Sequence, residues 1–328
     1  MHALTCLGLI AAVAAIAFAG ESAKEQPQME YPQLAIQSDA LRLVLYLPDA
    51  EKGFYRSTRF DWSGLVARAE FGGHTFFGPF RPKHNPLGND SVVGPAEEFD
   101  MDAPQGYVEA KPGETFVKIG VGLLKKGAEP QYRFSGRYEI ARLGAWKVAS
   151  GPDWVEFTQT LEGERGWGYV YTKRIGIGPG AAFTITHALR NTGSKAIDTT
   201  MYCHNFVVID GDGVGPNYRI AFPFDLVPKE AKGKVEFKGR ELVIPEELKG
   251  AVWVAFQGGT GKAEDNQVTV ENRRTGAGLK ISGDQPTVEW RFYAEKTAAC
   301  PEPFIRIQVA PGEEKKWRTA YTFYSGGK

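Results

Sequence analysis

The chain has 328 residues, and its 39 lysines and arginines balance its 39 aspartates and glutamates, so its net charge at neutral pH is zero. This balance argues against nucleic acid or an anionic membrane as a partner, because both are bound through an excess of basic groups. A hydrophobic content of 42% with 24% charged residues excludes a disordered chain, and the 39 glycines, 20 prolines and 12% aromatics favour strands and turns over helices.

The first twenty residues resemble a secretory signal peptide. An apolar run at 7–18 is too short to cross a bilayer, and it leads into Ala17-Phe18-Ala19, an A-x-A cleavage pattern. Residues 21–30 follow as a polar, unstructured lead-in. We therefore predict a secreted or periplasmic mature protein that is not inserted in a membrane, with a retained amino-terminal anchor as the alternative.

The rest of the chain is predicted to be a long series of strands. Alternating or β-branched runs recur at short intervals between glycine- and proline-containing turns. These runs are 41–47, 65–71, 116–121, 154–161, 182–189, 267–271, 278–281 and 317–324. No stretch keeps the helical period for four turns, and residues 139–143 and 245–249 each allow one short helix at most. The pattern predicts an all-β fold of antiparallel sheets packed as a sandwich, in a single domain over 31–328.

Two early segments carry candidate ligand-binding residues. Residues 53–64 combine aromatics with Arg59, which fits a wall that stacks on a ring and hydrogen-bonds hydroxyl groups; a strand entering the core is the alternative. Prolines at 82 and 86 place His84 in a loop, where site residues concentrate. Glu98 is expected to be half-buried beside Phe99, which would raise its pKa and suit it to orienting a ligand.

The sharpest candidate is the segment 202–211, in which a strand carries His204 and Asn205 into an apolar run. A buried imidazole and a buried amide both need hydrogen-bond partners. Either a structural network surrounds them, or the end of the strand opens into a pocket. Tyr202 and Asp210 flank the pair and are counted with it as ligand-binding candidates.

A second chemical candidate is Glu302, which stands between Pro301 and Pro303. Both prolines lack an N–H donor and cannot make a normal strand ladder. This predicts a strand edge or a bulge that holds the carboxylate in a fixed orientation, as a positioned base requires. A charge that only protects a sheet edge is the alternative.

The two cysteines of the mature chain, Cys203 and Cys300, can be tested against this arrangement by strand parity. Cys203 points away from the face of His204, whereas Cys300 points to the face of Glu302. If His204 and Glu302 share a pocket, the two thiols lie on different faces and are too far apart to form a disulfide. The sequence contains no H-E-x-x-H, G-x-S-x-G, P-loop or paired C-x-x-C motif, so we predict neither a metal ion nor a cofactor.

The order of these segments resembles the galactose mutarotase (aldose 1-epimerase) superfamily, specifically its secreted bacterial branch, over about residues 41–324. The matching segments are 59–64, 94–99, 202–206, and 300–303 followed by 310–313. The resemblance implies a large antiparallel β-supersandwich that binds a mono- or oligosaccharide on its concave face. We expect this protein to be a monomer.

The resemblance also implies roles for individual residues. His204 would donate a proton to the ring oxygen of the sugar, and Glu302 would take the proton of the anomeric hydroxyl, so that the ring opens and recloses on the other face. Arg59 and His84 match substrate-contacting positions. Two alternatives stay open, because the same fold serves several activities: lyase or glycosidase chemistry in the same pocket, and carbohydrate binding without catalysis.

Overall fold

The computed structural model describes residues 31–326. The predicted signal peptide at 1–20 and the lead-in at 21–30 lie outside the described residues. By their contacts the described residues group into one unit. No helix within 31–326 has the length and apolarity needed to span a bilayer.

Nearly all the regular structure of the described residues is β-strand, and the helical part is one 3-10 turn, Ala263–Asp265. The first strands are β1 Gln33–Gln37, β2 Leu41–Tyr46, β3 Leu65–Phe71, β4 His74–Phe76, β5 Ala96–Phe99, β6 Thr115–Lys118, β7 Gly122–Lys125, β8 Ile140–Leu143, β9 Ala145–Ser150, β10 Trp154–Glu164, β11 Trp167–Ile177 and β12 Ala182–Asn191. The others are β13 Ile197–His204, β14 Tyr218–Ala221, β15 Val227–Lys232, β16 Glu236–Lys238, β17 Glu241–Val243, β18 Val252–Gln257, β19 Gln267–Asn272, β20 Ala277–Gly283, β21 Glu289–Glu295, β22 Ala298–Val309 and β23 Glu314–Ser325. All eight predicted runs overlap strands, although 119–121 form the turn between β6 and β7. Residues 140–143 form β8 instead of a helix, and 245–249 are irregular.

Two large antiparallel sheets dominate the fold. One has ten strands in the order β16-β17-β14-β19-β20-β23-β12-β11-β10-β9, and the other has six in the order β15-β18-β21-β22-β13-β5. Smaller sheets of β1–β4 and β6–β8 complete the structure. The expected all-β, antiparallel architecture is confirmed.

The core forms because the strands alternate apolar and polar side chains. In β10, Val155 and Phe157 are buried while Glu156 between them is not, and in β12 the residues Phe183 and Ile185 repeat the pattern. Side chains of this kind from both large sheets belong to one buried cluster. Each fully buried residue contributes about 1.5–3 kcal/mol of hydrophobic stabilisation, which holds the six-stranded sheet in place and leaves its other face to form a cleft.

Candidate functional site

Strand register brings His204 and Glu302 together. Tyr202 of β13 pairs with Phe304 of β22, and beyond them Val207 and Ala299 exchange two backbone hydrogen bonds of 2.9 and 3.0 Å. Both pairs belong to the same register, which sets His204 directly opposite Glu302. Since hydrogen-bonded and non-hydrogen-bonded pairs alternate along antiparallel strands, this pair falls at a non-hydrogen-bonded position, where side chains lie closer. The imidazole Nε2 and the carboxylate Oε1 are 3.0 Å apart.

The two prolines beside Glu302 affect only one side of their strand. Alternate N–H groups of a strand point to opposite neighbours, and the N–H of Ala299 points to β13. Pro301 and Pro303 therefore lack the donors that would face β13, while β22 still pairs with β21. The prediction of an edge strand or a bulge is wrong: β22 lies inside the sheet between β21 and β13. The side-chain amide of Asn205 replaces part of the lost ladder by donating to the carbonyl of Pro301 at 2.7 Å.

Burial disfavours the charged form of both partners. His204 and Glu302 are each 5% exposed, and the His204 ring stacks on Phe206 with centroids 3.8 Å apart. Burial, helped by the charge of Arg59, holds the pKa of His204 well below its ordinary value. Burial also raises the pKa of Glu302 to about 8, although Arg59 and Arg291 oppose the shift. Near neutral pH the carboxyl group of Glu302 is therefore protonated, and the imidazole of His204 is neutral.

A cleft of about 380 Å³ opens over this pair, within the size range of small-ligand sites. Its wall carries four cations, two carboxylates and a series of aromatic rings. The cations are Arg59, Arg81, Lys232 and Arg291, the carboxylates are Asp90 and Glu302, and the aromatics are Phe80, Phe134, Tyr202, Phe206, Trp253 and Tyr293. This composition provides ring faces for stacking and many donors for hydroxyl groups.

The register of the six-stranded sheet also explains how distant segments reach this wall. Directly opposed residues lie on the same face of a sheet. Glu302 pairs with Arg291, which extends the His204 row across the sheet. The next row runs from Tyr293 to Trp253 and on to Lys232 of β15. The cleft wall is therefore built of successive cross-strand rows.

Arg59 is fixed from behind by a buried network. Its Nε donates to Oε2 of Glu98 at 2.8 Å, and one Nη donates to the hydroxyl of Tyr202 at 2.7 Å. Tyr202 donates to the same Glu98 oxygen at 2.6 Å, and the Lys118 ammonium lies 3.1 Å from the other one. Burial alone would raise the pKa of Glu98, but the positive charges of Lys118 and Arg59 outweigh it and lower the pKa. The expected rise in the pKa of Glu98 is therefore wrong, because two cations are buried beside its carboxylate.

Five of the eight predicted site residues line the cleft or support its wall. His204, Glu302, Arg59 and Tyr202 line the cleft. Glu98 has no exposed surface and lies behind Arg59, so it acts on the cleft wall through that guanidinium and does not reach a ligand.

Three predicted ligand-binding residues lie away from the cleft wall. His84 contacts the carbonyl of Phe54 through Nε2 at 2.8 Å and stacks on the Phe54 ring. Asn205 points to the opposite face of β13, where it accepts from the Tyr321 hydroxyl at 2.8 Å, because neighbouring residues of a strand face opposite sides. Asp210 accepts from the backbone N–H of Thr75 at 2.9 Å. All three side chains are engaged in structural contacts.

Sequence reasoning missed the contributions of Asp90, Lys118, Trp253 and Arg291. Trp253 and Arg291 lie in ordinary alternating strands, and only the cross-strand register shows that they share the cleft wall with Glu302. Lys118 lies in a predicted strand, yet its ammonium is completely buried against Glu98. A lysine inside an apolar run is the one local signal that was available for this group.

The described residues contain no group of three or more His, Cys, Asp and Glu side chains arranged to hold a metal ion.

Cys203 and Cys300 are both free and buried. Cys203 lies 3.5 Å from the hydroxyl of Tyr321, whereas Cys300 packs in the cluster that contains Phe206. The two thiols lie in different surroundings, which agrees with the parity argument for a pocket shared by His204 and Glu302.

The two antiparallel sheets and the cleft on the six-stranded one define a galactose mutarotase-like fold. Solved structures similar to this chain include Slr1438 from Synechocystis sp. PCC 6803, with 12% identity, a TM-score of 0.56, and 92% of this chain and 100% of that chain covered. A galactose mutarotase related enzyme from Lactobacillus acidophilus is similar with 9% identity, a TM-score of 0.53, and coverage of 89% and 97%. The GalM/aldose epimerase homologue from C. elegans has 13% identity, a TM-score of 0.52, and coverage of 90% and 99%. No protein-family model and no curated protein sequence matches this chain. These likenesses establish its fold.

Proposed function

We propose that this chain is an exported carbohydrate-active protein of aldose 1-epimerase type, which interconverts the anomers of a sugar. The observation that carries the proposal is the pairing of His204 with Glu302, whose Nε2 and Oε1 lie 3.0 Å apart in the wall of a cleft. The likeness to solved mutarotase-related structures supports the same reaction class. The predicted signal peptide supports export.

The reaction needs two proton transfers at neighbouring atoms. The anomeric oxygen and the ring oxygen of a pyranose are bonded to the same carbon, so they lie close together on one edge of the ring. Two groups in contact with each other can face that edge simultaneously. His204 and Glu302 therefore act from the same side of the sugar, instead of from opposite sides as a widely spaced acid and base would.

Burial decides where the proton starts. Because the pKa of Glu302 is raised and that of His204 is lowered, the neutral carboxyl is the favoured donor to the ring oxygen, and the neutral imidazole accepts the anomeric proton. This reverses the roles that the resemblance implies. The ring opens to the aldehyde, the C1–C2 bond rotates, and the ring recloses as both protons return. Positioned acid–base groups of this kind each contribute about 10²–10⁴-fold in rate.

The rest of the cleft wall suits a sugar in the same place. Aromatic faces such as Trp253 and Phe134 can pack against the C–H faces of a pyranose. Tyr202 and Arg59 present polar groups held by Glu98, so they are fixed before a ligand binds. A pre-organised wall reduces the entropy lost on binding.

Exchange spectroscopy by NMR tests the proposal directly. Magnetisation transfer between the α and β anomers of glucose, galactose and xylose is measured with the wild-type protein and with Glu302→Gln and His204→Asn variants. His74→Asn and Glu271→Gln are matched controls, since neither residue lines the cleft. We expect the wild type and both controls to accelerate exchange for at least one aldose, and each site variant to lose 10²-fold or more.

Other outcomes distinguish the alternatives. Wild-type exchange equal to the protein-free rate for every aldose would refute anomer interconversion. Release of unsaturated uronates or reducing ends from polysaccharides, dependent on Glu302, would replace it with lyase or glycosidase chemistry. Sugar binding that survives both site substitutions, without any turnover, would leave a non-catalytic carbohydrate-binding protein.

A further inference from the structure

The basic residues of the cleft wall already have carboxylate partners within the chain. Arg291 holds Glu289 with two hydrogen bonds of 3.0 Å. Lys232 lies 3.0 Å from Glu230. The wall is therefore neutralised locally, although its residue types alone suggest a basic site.

Asp90 completes this neutralisation at the mouth of the cleft. Its carboxylate contacts Nη1 of Arg59 and lies 3.9 Å from a guanidinium nitrogen of Arg81, whose nearer carboxylate partner is Glu295 at 3.1 Å. The Arg59 side chain is 9% exposed, whereas that of Asp90 is 45% exposed. Of its five N–H groups, Arg59 gives one to Glu98 and one to Tyr202. Asp90 therefore covers the part of Arg59 that would otherwise face an incoming ligand.

The loop that carries Asp90 is fixed in this position. The side-chain amide of Asn89 donates to the carbonyl of Gly136 at 2.8 Å, and Ser91 donates from its N–H to the carbonyl of Gly88 at 3.1 Å. The hydroxyl of Ser57 donates to the Asn89 side chain at 2.5 Å. Contacts on both sides of Asp90 hold its carboxylate between the two arginines.

We propose that Asp90 sets the charge selectivity of this cleft by occupying the anion position between Arg59 and Arg81. A ligand that carries a carboxylate, sulfate or phosphate meets both the repulsion of Asp90 and arginines whose charge is already balanced. A neutral sugar meets neither obstacle and hydrogen-bonds through its hydroxyl groups. This inference deepens the proposed function and rests on the cleft being the sugar site.

Methyl glycosides separate this inference from the proposed activity, because their blocked anomeric carbon prevents mutarotation. The binding of methyl α-D-glucoside and methyl α-D-glucuronide is compared by calorimetry for wild type and Asp90→Asn. Sulfate, as a shift in melting temperature against chloride at equal ionic strength, reports the anion position independently of the sugar. Asp284→Asn, which removes a carboxylate beside Arg318 outside this cleft, is the matched control.

We expect the wild type to bind the glucoside at least as tightly as the glucuronide. We also expect sulfate to stabilise the wild type no more than it stabilises the Asp284→Asn control, whose gain measures the general exclusion effect of sulfate. Asp90→Asn should raise the affinity ratio of glucuronide to glucoside by about 5–10-fold, because the effect of a single charge at a partly exposed site is strongly screened. This variant should also gain more stability from sulfate than the wild type does. Adding Arg81→Gln to Asp90→Asn should remove most of both gains.

The opposite results would overturn the inference. Wild-type protein that prefers the glucuronide, or that is stabilised by sulfate as strongly as the variant, would mean that ligands displace Asp90. An unchanged ratio and unchanged sulfate response in Asp90→Asn would mean that its carboxylate has no influence on selectivity. If Asp90→Asn does not fold, the same comparison of glucuronide and glucoside affinities is made between Asp90→Ser and the wild type. If neither glycoside binds, the sulfate response alone decides.

Discussion

Replacing Glu302 by glutamine should stabilise the protein at alkaline pH and leave it nearly unchanged in acid. The ordinary pKa of a glutamate is 4.5, and burial raises that of Glu302 to about 8. Between these values the unfolded chain has lost the proton while the folded chain still holds it. The stability that Glu302 contributes is therefore fully present below pH 4.5 and falls as pH rises to about 8. Glutamine has no proton to lose.

The size of the effect follows from the same two values. The interval from 4.5 to about 8 corresponds to about 5 kcal/mol at 1.36 kcal/mol per pH unit. Contact with the imidazole of His204, at 3.0 Å, partly compensates the buried charge, so we expect about 3–5 kcal/mol at pH 9. The advantage of the variant should grow by about 1.4 kcal/mol per unit across this window and then level off.

Urea denaturation followed by circular dichroism, at one-unit steps from pH 4 to pH 9, measures this difference. His204 is present in both proteins, so its own titration largely cancels in the comparison. Glu271→Gln, on the ten-stranded sheet, controls for a glutamate-to-glutamine change away from the cleft. A difference between Glu302→Gln and wild type that stays constant with pH, or that favours wild type more as pH rises, would refute the claim that burial dominates at this carboxylate.

Two further substitutions test the structure that supports the cleft. Lys118→Met should lower the free energy of unfolding by about 3–5 kcal/mol, because it removes the completely buried cation 3.1 Å from Glu98; a loss under 1 kcal/mol in urea denaturation would contradict the network. Asn205→Ala should lower it by about 1–3 kcal/mol, since Pro301 and Tyr321 each lose a buried hydrogen bond. Sugar affinity in that variant, measured by calorimetry, should stay at the wild-type value. A large loss of affinity would show that Asn205 takes part in sugar binding.

The strands could be predicted from sequence because alternation is a local property. Residues 65–71 were expected as a strand and form β3 with the same limits, and 154–161 lie within β10. The contact of His204 with Glu302 depended on more than local pattern. Each was a candidate by itself, through a polar pair in an apolar run and a carboxylate between prolines, but their separation became known only when the register of β13 and β22 was known.

The remaining parts of the cleft could not be predicted, for physical reasons that differ from residue to residue. Arg291 and Trp253 reach the wall through cross-strand pairing between segments far apart in the chain. Asp210 and His84 were expected in the site from their neighbours in sequence, yet each makes structural contacts away from the cleft wall. Which nearby partner a polar residue finds depends on tertiary packing and cannot be read from spacing.

Strand β5 shows how the fold prepares the cleft before any ligand arrives. Its consecutive residues Glu97 and Glu98 point to opposite faces, and both are buried. Glu98 holds Arg59 at the cleft, while Glu97 contacts the completely buried ammonium of Lys173 from the ten-stranded sheet. Among the described residues Glu98 is the carboxylate partner of Lys118, so removing Glu98 would leave that buried ammonium uncompensated, at a cost of several kcal/mol. Because this strand makes ion pairs on both faces, the position of Arg59 depends on the packing of the two large sheets.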